Sequence, residues 1–203
     1  MDTQPATMKL LLATKNRHKV DEIKALLADL EVEILCALDF PDLPDVVEDR
    51  DTIEGNAAKK AIECAAHTGI PALADDTGFF VDALDGRPGV FAARYAGPEC
   101  SYADNRTKML GEMQGVTNRA AHFRTAVVFA TPDAIIATTI GEVTGSITHQ
   151  EAGEGGFGYD PIFRADETGK TFGEMDAQAK HAISHRGRAM RAMLPHLQRF
   201  YGA

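Results

Sequence analysis

The sequence is short of cysteine, of long apolar runs and of positive charge, and each shortage removes a class of protein. Its three cysteines, Cys36, Cys64 and Cys100, are odd in number and no two have C-x-x-C spacing. That argues against a disulfide framework and against a zinc site. Cys64 lies in an alanine-rich stretch and reads as a small buried residue. No run approaches the ~20 apolar residues of a bilayer span, so no membrane partner is expected. Residues 1–7 are short, polar and acidic, unlike a signal peptide, and are expected to form a disordered leader before the domain begins at Met8. Without a targeting signal or paired thiols, a cytoplasmic location is expected. Lys and Arg number 21 against 30 Asp and Glu, a formal net charge of -9. Non-specific nucleic-acid binders carry a basic balance, so no nucleic-acid partner is expected. A small anionic ligand stays open, because a few local lysines and a metal can outweigh a distant negative surface.

What remains is an ordinary soluble composition, 44% hydrophobic and 25% charged, in 203 residues. A chain of this length can bury a sizeable core. Residues 8–13 form a short apolar run and predict a buried strand. A polar turn follows, and then Val20, Ile23, Leu27 and Leu30 recur at helical spacing. Residues 31–37 alternate as a second strand, and residues 39–51 make an acidic loop with Pro41 and Pro44. A helix is predicted over 56–67 through Ala57, Ala61, Cys64 and Ala65. Strands are predicted over 71–75 and 79–84, and a Gly/Pro-rich loop over 86–97. A helix over 102–113 precedes two strong strands, 123–131 and 135–144, joined by the turn signal Pro132-Asp133. Met190, Met193, Leu194 and Leu197 mark a closing helix, in which Pro195 predicts a kink or break. Helices mixed with parallel-type and hairpin strands indicate an α/β fold with a mixed sheet and flanking helices. The helical and hairpin parts suggest two lobes, with the cleft between them as the expected ligand position.

Four groups of residues carry chemistry. The first is Thr14, Lys15, Asn16, Arg17, His18 and Lys19, between a strand and a helix. Backbone N–H groups at a helix N-terminus attract phosphate oxygens, and Lys19 adds a full charge. The glycines of a P-loop are missing, and a plain polar N-cap with solvated lysines reads the same residues. The second is Glu48 with Asp75 and Asp76. Hard carboxylate oxygens at a strand end, facing one from a loop, suit Mg²⁺. Adjacent carboxylates repel each other, and a cation or a catalytic role would offset that. Glu48 also reads as one of several acids on a surface loop. The third is the run 153–161, where glycines admit a ligand to the backbone, Phe157 offers a stacking face and Asp160 could bond a base edge. A turn with two core aromatics is the alternative. The fourth is Lys180 with Ser184, His185 and Arg186. Ser184 reads as an N-cap, and His185 and Arg186 as donors to ligand carbonyls or as solvated basic residues.

Taken together and in order, the stretches ATKNRHK, ADDTGFFVDALDGRPGVFAARYAG, GGFGYDPIF and AISHRGRAM resemble the inosine triphosphate pyrophosphatase family of non-standard purine nucleoside triphosphate pyrophosphatases. The resemblance runs from about Met8 almost to the C-terminus. It implies a single pyrophosphatase domain over 8–203, with an elongated mixed sheet and two lobes around a central nucleotide-binding cleft. It also implies a homodimer, Mg²⁺ dependence, and hydrolysis of ITP, dITP or XTP to the monophosphate and pyrophosphate. It places phosphate contacts on Thr14, Asn16, Lys19 and Lys60, and Mg²⁺ on Glu48 and Asp76, with Asp76 as general base. Thr77 becomes a substrate contact. Phe157, Gly158, Tyr159 and Asp160 fall in the base-binding loop, and Lys180, His185 and Arg186 complete the base pocket. The chain departs from the family pattern at Lys15, where a small residue is common, and at Gly55, where the family has glutamate.

Overall fold

The computed structural model describes residues 8–202. Strand β1 (Lys9–Leu12) carries three consecutive buried leucines. It lies between β2 (Glu33–Cys36) and β3 (Ala72–Val81), and both pairings are parallel. A parallel strand covered on both faces needs apolar side chains on both, hence a continuous apolar run rather than an alternating one. The sheet continues from β3 to β5 (Ala120–Ala130), β6 (Ile135–Ile147) and β7 (Phe163–Ala165), while the two-residue β4 (Pro88–Gly89) pairs antiparallel with β3. With β7 antiparallel to β6, the sheet is mixed, as the sequence predicts.

Five helices accompany it: α1 (Arg17–Leu26), α2 (Ile53–Thr68), α3 (Tyr102–Glu112), α4 (Ala177–Ile183) and α5 (His185–Tyr201). Helix α2 starts where Thr52 Oγ1 accepts from Gly55 N–H and stops at Gly69, whose φ of 70° suits a residue without Cβ. Among the described residues no helix is long and apolar enough to cross a membrane.

Two expectations are corrected. The strands predicted over 71–75 and 79–84 are one strand, β3. It runs through Gly78, where a Cβ would stand 2.5 Å from the Phe80 ring. Helix α5 starts at His185, as the N-cap reading of Ser184 predicts, and does not break at Pro195. A proline inside a helix costs about 3 kcal/mol. Burial of Met190, Met193, Leu197 and Tyr201 along α5 offsets this, since a fully buried side chain of that size contributes about 1.5–3 kcal/mol. Helix α4 and strand β7 are too short to show a period. The predicted leader, residues 1–7, lies outside the described residues.

The described residues form two compact units. The first takes the chain up to Asp76, Ala126–Thr139 and Met190 onward; the second takes Thr77–Thr125 and Ile140–Ala189. The first has β1, α1, α2 and the C-terminal part of α5 around Leu10, Leu11, Leu12, Ile23, Ala57, Ala61, Leu73, Val127 and Leu197, all essentially buried. The second is built on aromatic rings. Phe79 stacks on Phe123 at 4.3 Å, and Phe123 meets Phe163 edge-on at 4.8 Å.

In the second unit β6 touches the first turn of α5 through Gly141. A Cβ there would lie 2.0 Å from the His185 carbonyl oxygen and 2.4 Å from the Ala189 nitrogen. Both are backbone atoms and cannot rotate away. Gly141→Ala is therefore expected to lose about 2–3 kcal/mol or more in urea unfolding. A loss below about 0.5 kcal/mol would show that α5 can slide along β6 at little cost.

Candidate functional site

The first unit gathers carboxylates around one lysine. Asn56 and Lys60 lie four residues apart on α2 and so project from the same face. Lys60 is 8% exposed. Its Nζ donates to the Asp75 carbonyl oxygen at 2.6 Å and to Glu48 Oε1 at 2.7 Å, and pairs with Asp76 Oδ1 at 3.5 Å. Burial works against the Lys60 ammonium. The charges of Asp76, Glu48 and Asp75 outweigh it and hold its pKa above that of a free lysine. Burial pushes the Asp76 carboxyl above the usual carboxylate range. Glu48 adds to that push, while Lys60, Lys19 and a hydrogen bond from Asn56 pull back.

The turn before α1 is organised by Asn16. Its side chain accepts from His18 N–H and Lys19 N–H as the N-cap, and Thr14 Oγ1 accepts from Asn16 N–H at 3.2 Å. The capping reading of Asn16 is thus realised. Asp75 and Asp76 lie inside β3 rather than at the end of a strand, and Lys19 pairs with Asp75 Oδ2 at 3.1 Å. Lys15 turns to the acidic loop instead, pairing with Asp45 at 2.7 Å and donating to the Leu43 carbonyl oxygen. Arg17 and His18 are exposed on the first turn of α1. The structure therefore brings Lys19, Glu48, Lys60, Asp75 and Asp76 together and sets Lys15 apart from them.

Two carboxylates, Glu48 and Asp76, both reach one cationic nitrogen, so they are close enough for a shared cation. Among the described residues no three His, Cys, Asp or Glu side chains converge on a metal position. Mg²⁺ needs no such cage, since it keeps several waters and binds through one or two carboxylates plus substrate phosphates. The donor set fits Mg²⁺ in that manner.

The second unit holds the other residues. Asp160 is buried, and its Oδ2 accepts from Lys180 Nζ and from Phe157 N–H, each at 2.7 Å. That oxygen shapes the glycine-rich loop, and the loop closes tightly on it: a Cβ at Gly156 would stand 2.1 Å away. Phe157, half-buried, has two cations beside its ring, Lys180 Nζ at 4.8 Å and Arg186 Cζ at 5.6 Å from its centroid. Arg186 also donates to Thr77 Oγ1 at 3.4 Å, and Thr77 shares a 2.7 Å hydrogen bond with Thr125. His185, the first residue of α5, stacks on Phe123 at 4.5 Å. Ser184 caps α5, accepting from Gly187 N–H. Tyr159 stands apart from this set. It is a core ring against Phe79, and its hydroxyl donates to the Ala92 carbonyl oxygen. Burial pushes that hydroxyl far above the ordinary tyrosine range.

Sequence reasoning missed several supports. Arg106 on α3 donates to the Gly158 carbonyl oxygen at 3.0 Å and pairs with Glu151, tying the glycine-rich loop to α3. Lys59 grips the acidic loop through the Val47 carbonyl oxygen and Asp49. Asn56 bonds both that loop and Asp76. Only Asn56 left a signal, its place one turn before Lys60.

Known proteins resemble the chain in sequence and in fold. Residues 10–196 match the Ham1 family. The chain is 47% identical to a dITP/XTP pyrophosphatase of Geobacter sulfurreducens over 191 residues, 93% of this chain and 96% of that protein. The structure of a HAM1 protein from Coxiella burnetii superposes with a TM-score of 0.86 at 35% identity, covering 97% of this chain and all of that one. A nucleoside-triphosphatase, also described as a dITP/XTP pyrophosphatase, from Mycobacterium abscessus gives a TM-score of 0.75 at 38% identity. It covers 93% of this chain and all of its own.

Proposed function

The chain belongs to the Ham1 family, and from that premise we propose that it hydrolyses non-standard purine nucleoside triphosphates such as ITP, dITP and XTP to the monophosphate and pyrophosphate. The observation that carries the reading is the gathering of Glu48, Asp76 and Lys60 in the first unit. A triphosphate resists attack because its oxygens are negative, and this cluster supplies fixed positive charge beside a carboxylate poised to accept a proton.

Glu48 and Asp76 would hold a Mg²⁺ beside the phosphates of the nucleotide. Bound there, the ion would neutralise phosphate charge and polarise the reacting phosphoryl group. Asp76 would orient a water molecule and take its proton as the water oxygen bonds to the α-phosphorus. The bond from that phosphorus to the α–β bridging oxygen breaks, and its electron pair leaves with pyrophosphate. Lys19 and Lys60 would stabilise the departing charge, and the amides at the Asn16-capped start of α1 would add further phosphate donors.

The base would be read in the second unit. Phe157 offers a ring face, and Arg186, placed beside it, would donate to the oxygen at C6 of hypoxanthine or xanthine. Adenine presents an amino group there, so a donor would face a donor. His185 would add a second donor. Family membership also carries the expectations of a homodimer and a cytoplasmic location.

The direct test is product analysis with ITP, XTP, ATP and dUTP in the presence and absence of Mg²⁺. Pyrophosphate released from ITP and XTP, and only with the divalent ion, is the expected result. Orthophosphate as first product, or equal turnover of dUTP, would overturn the reading. A second test addresses the base. Arg186→Ala is expected to lower kcat/KM for ITP sharply while changing weak ATP turnover little. This follows because hydrogen-bonding sites can discriminate by up to about 10⁴-fold. Equal losses for both substrates would assign Arg186 to the phosphates or the fold.

A further inference from the structure

Asn56 is 2% exposed, and its amide is spent in a particular way. Its Oδ1 accepts from Arg50 N–H at 2.9 Å. Its Nδ2 donates to the Arg50 carbonyl oxygen at 3.3 Å and to Asp76 Oδ2 at 3.2 Å. One side chain thus clasps both backbone groups of a loop residue and one oxygen of the Asp76 carboxylate. Arg50 stands two residues after Glu48, and two residues of chain reach at most about 7 Å. A fixed Arg50 therefore confines the Glu48 backbone. The other oxygen of Asp76 is paired with Lys60 from the next turn of the same helix face.

We propose that Asn56 is the positioning residue that sets the separation and orientation of Glu48 and Asp76. The inference rests on the reading of these two carboxylates as the cation-holding pair. An amide suits the task, since it has two donors and an acceptor and carries no charge. It directs Asp76 without neutralising it, whereas a lysine here would compete with a divalent cation and a carboxylate would repel its neighbours. A residue that merely satisfied the loop backbone would need only the two bonds to Arg50. The third bond, to Asp76, ties the loop to the catalytic carboxylate.

The test compares the full chain with Asn56→Ala, Asn56→Ser and the comparator Thr52→Ala, which removes the cap of the same helix without touching either carboxylate. Binding of Mn²⁺ by the nucleotide-free protein is followed by electron paramagnetic resonance, and kcat and KM are measured with ITP. Both Asn56 variants are expected to weaken Mn²⁺ binding and lower kcat by about 10–100-fold, the usual effect of losing a partner of a metal ligand. KM for ITP should stay within about threefold, since the base contacts are untouched. Thr52→Ala should lower the thermal midpoint and leave Mn²⁺ affinity and kcat within about twofold. Serine keeps a small polar side chain on the helix but lacks the terminal amide that reaches Arg50 and Asp76, so Asn56→Ser decides the matter if the alanine variant does not fold. A folded Asn56→Ser with parental Mn²⁺ affinity and kcat would overturn the proposal, as would equal losses in Thr52→Ala. If the parent binds Mn²⁺ but releases no pyrophosphate from ITP, the substrate reading falls, and the Mn²⁺ measurements still decide the role of Asn56.

Discussion

A lysine ammonium almost out of reach of water, with three carboxylates around it, is the constraint on which the first unit is arranged. Moving such charges out of water costs several kcal/mol for each ion, and the cost is recovered only when geometry and further hydrogen bonds are good. Lys60 meets both conditions, with two close oxygen acceptors and Asp76 slightly farther off. Without that cation, Asp75 and Asp76 would place two negative charges at successive positions within β3, with Glu48 adding a third. Lys19 offsets part of this at Asp75. The small residues Ala57, Ala61 and Ala65 let α2 lie close in the core, which carries Asn56 and Lys60 to Asp75 and Asp76.

The second unit solves a related problem with fewer charges. Asp160 and Lys180 are both almost fully buried and pair at 2.7 Å, and the same carboxylate oxygen also takes the Phe157 N–H. One ion pair therefore fixes the glycine-rich loop, whose Phe157 ring has two cations beside it. Arg106 secures the loop again at Gly158. In both units an acidic or glycine-rich loop, with little core of its own, is positioned by a buried lysine from a neighbouring helix.

Much of this was legible in the sequence where a period or a motif was long enough to register. The leucines of β1, the alanine face of α2 and the two long strands β5 and β6 each announce themselves through burial pattern. The strand break expected near Thr77 failed because glycine ordinarily weakens a strand, whereas Gly78 here makes room for the Phe80 ring. Pro195 misled for a similar reason, since buried side chains of α5 outweigh a local cost. Within the site, residue types and order named Glu48, Asp76, Lys60, Lys180 and Arg186. Pairings were beyond reach: Lys19 with Asp75, Lys180 with Asp160 and Arg106 with Gly158 join residues 20 to 56 positions apart, and nothing local encodes them. Tyr159 shows the limit from the other side, a motif tyrosine whose ring belongs to the core.

The account's central claim is that Lys60 makes the gathering of carboxylates possible. Its most direct test is the unfolding free energy of Lys60→Met, measured without divalent ions, against the parent and against Lys60→Met combined with Asp76→Asn. The account predicts a loss of about 3 kcal/mol or more in the single variant, since a buried carboxylate is left without its cation, and a clear recovery when Asp76 is neutralised as well. A loss below about 1 kcal/mol, or a double variant less stable than Lys60→Met alone, would contradict it.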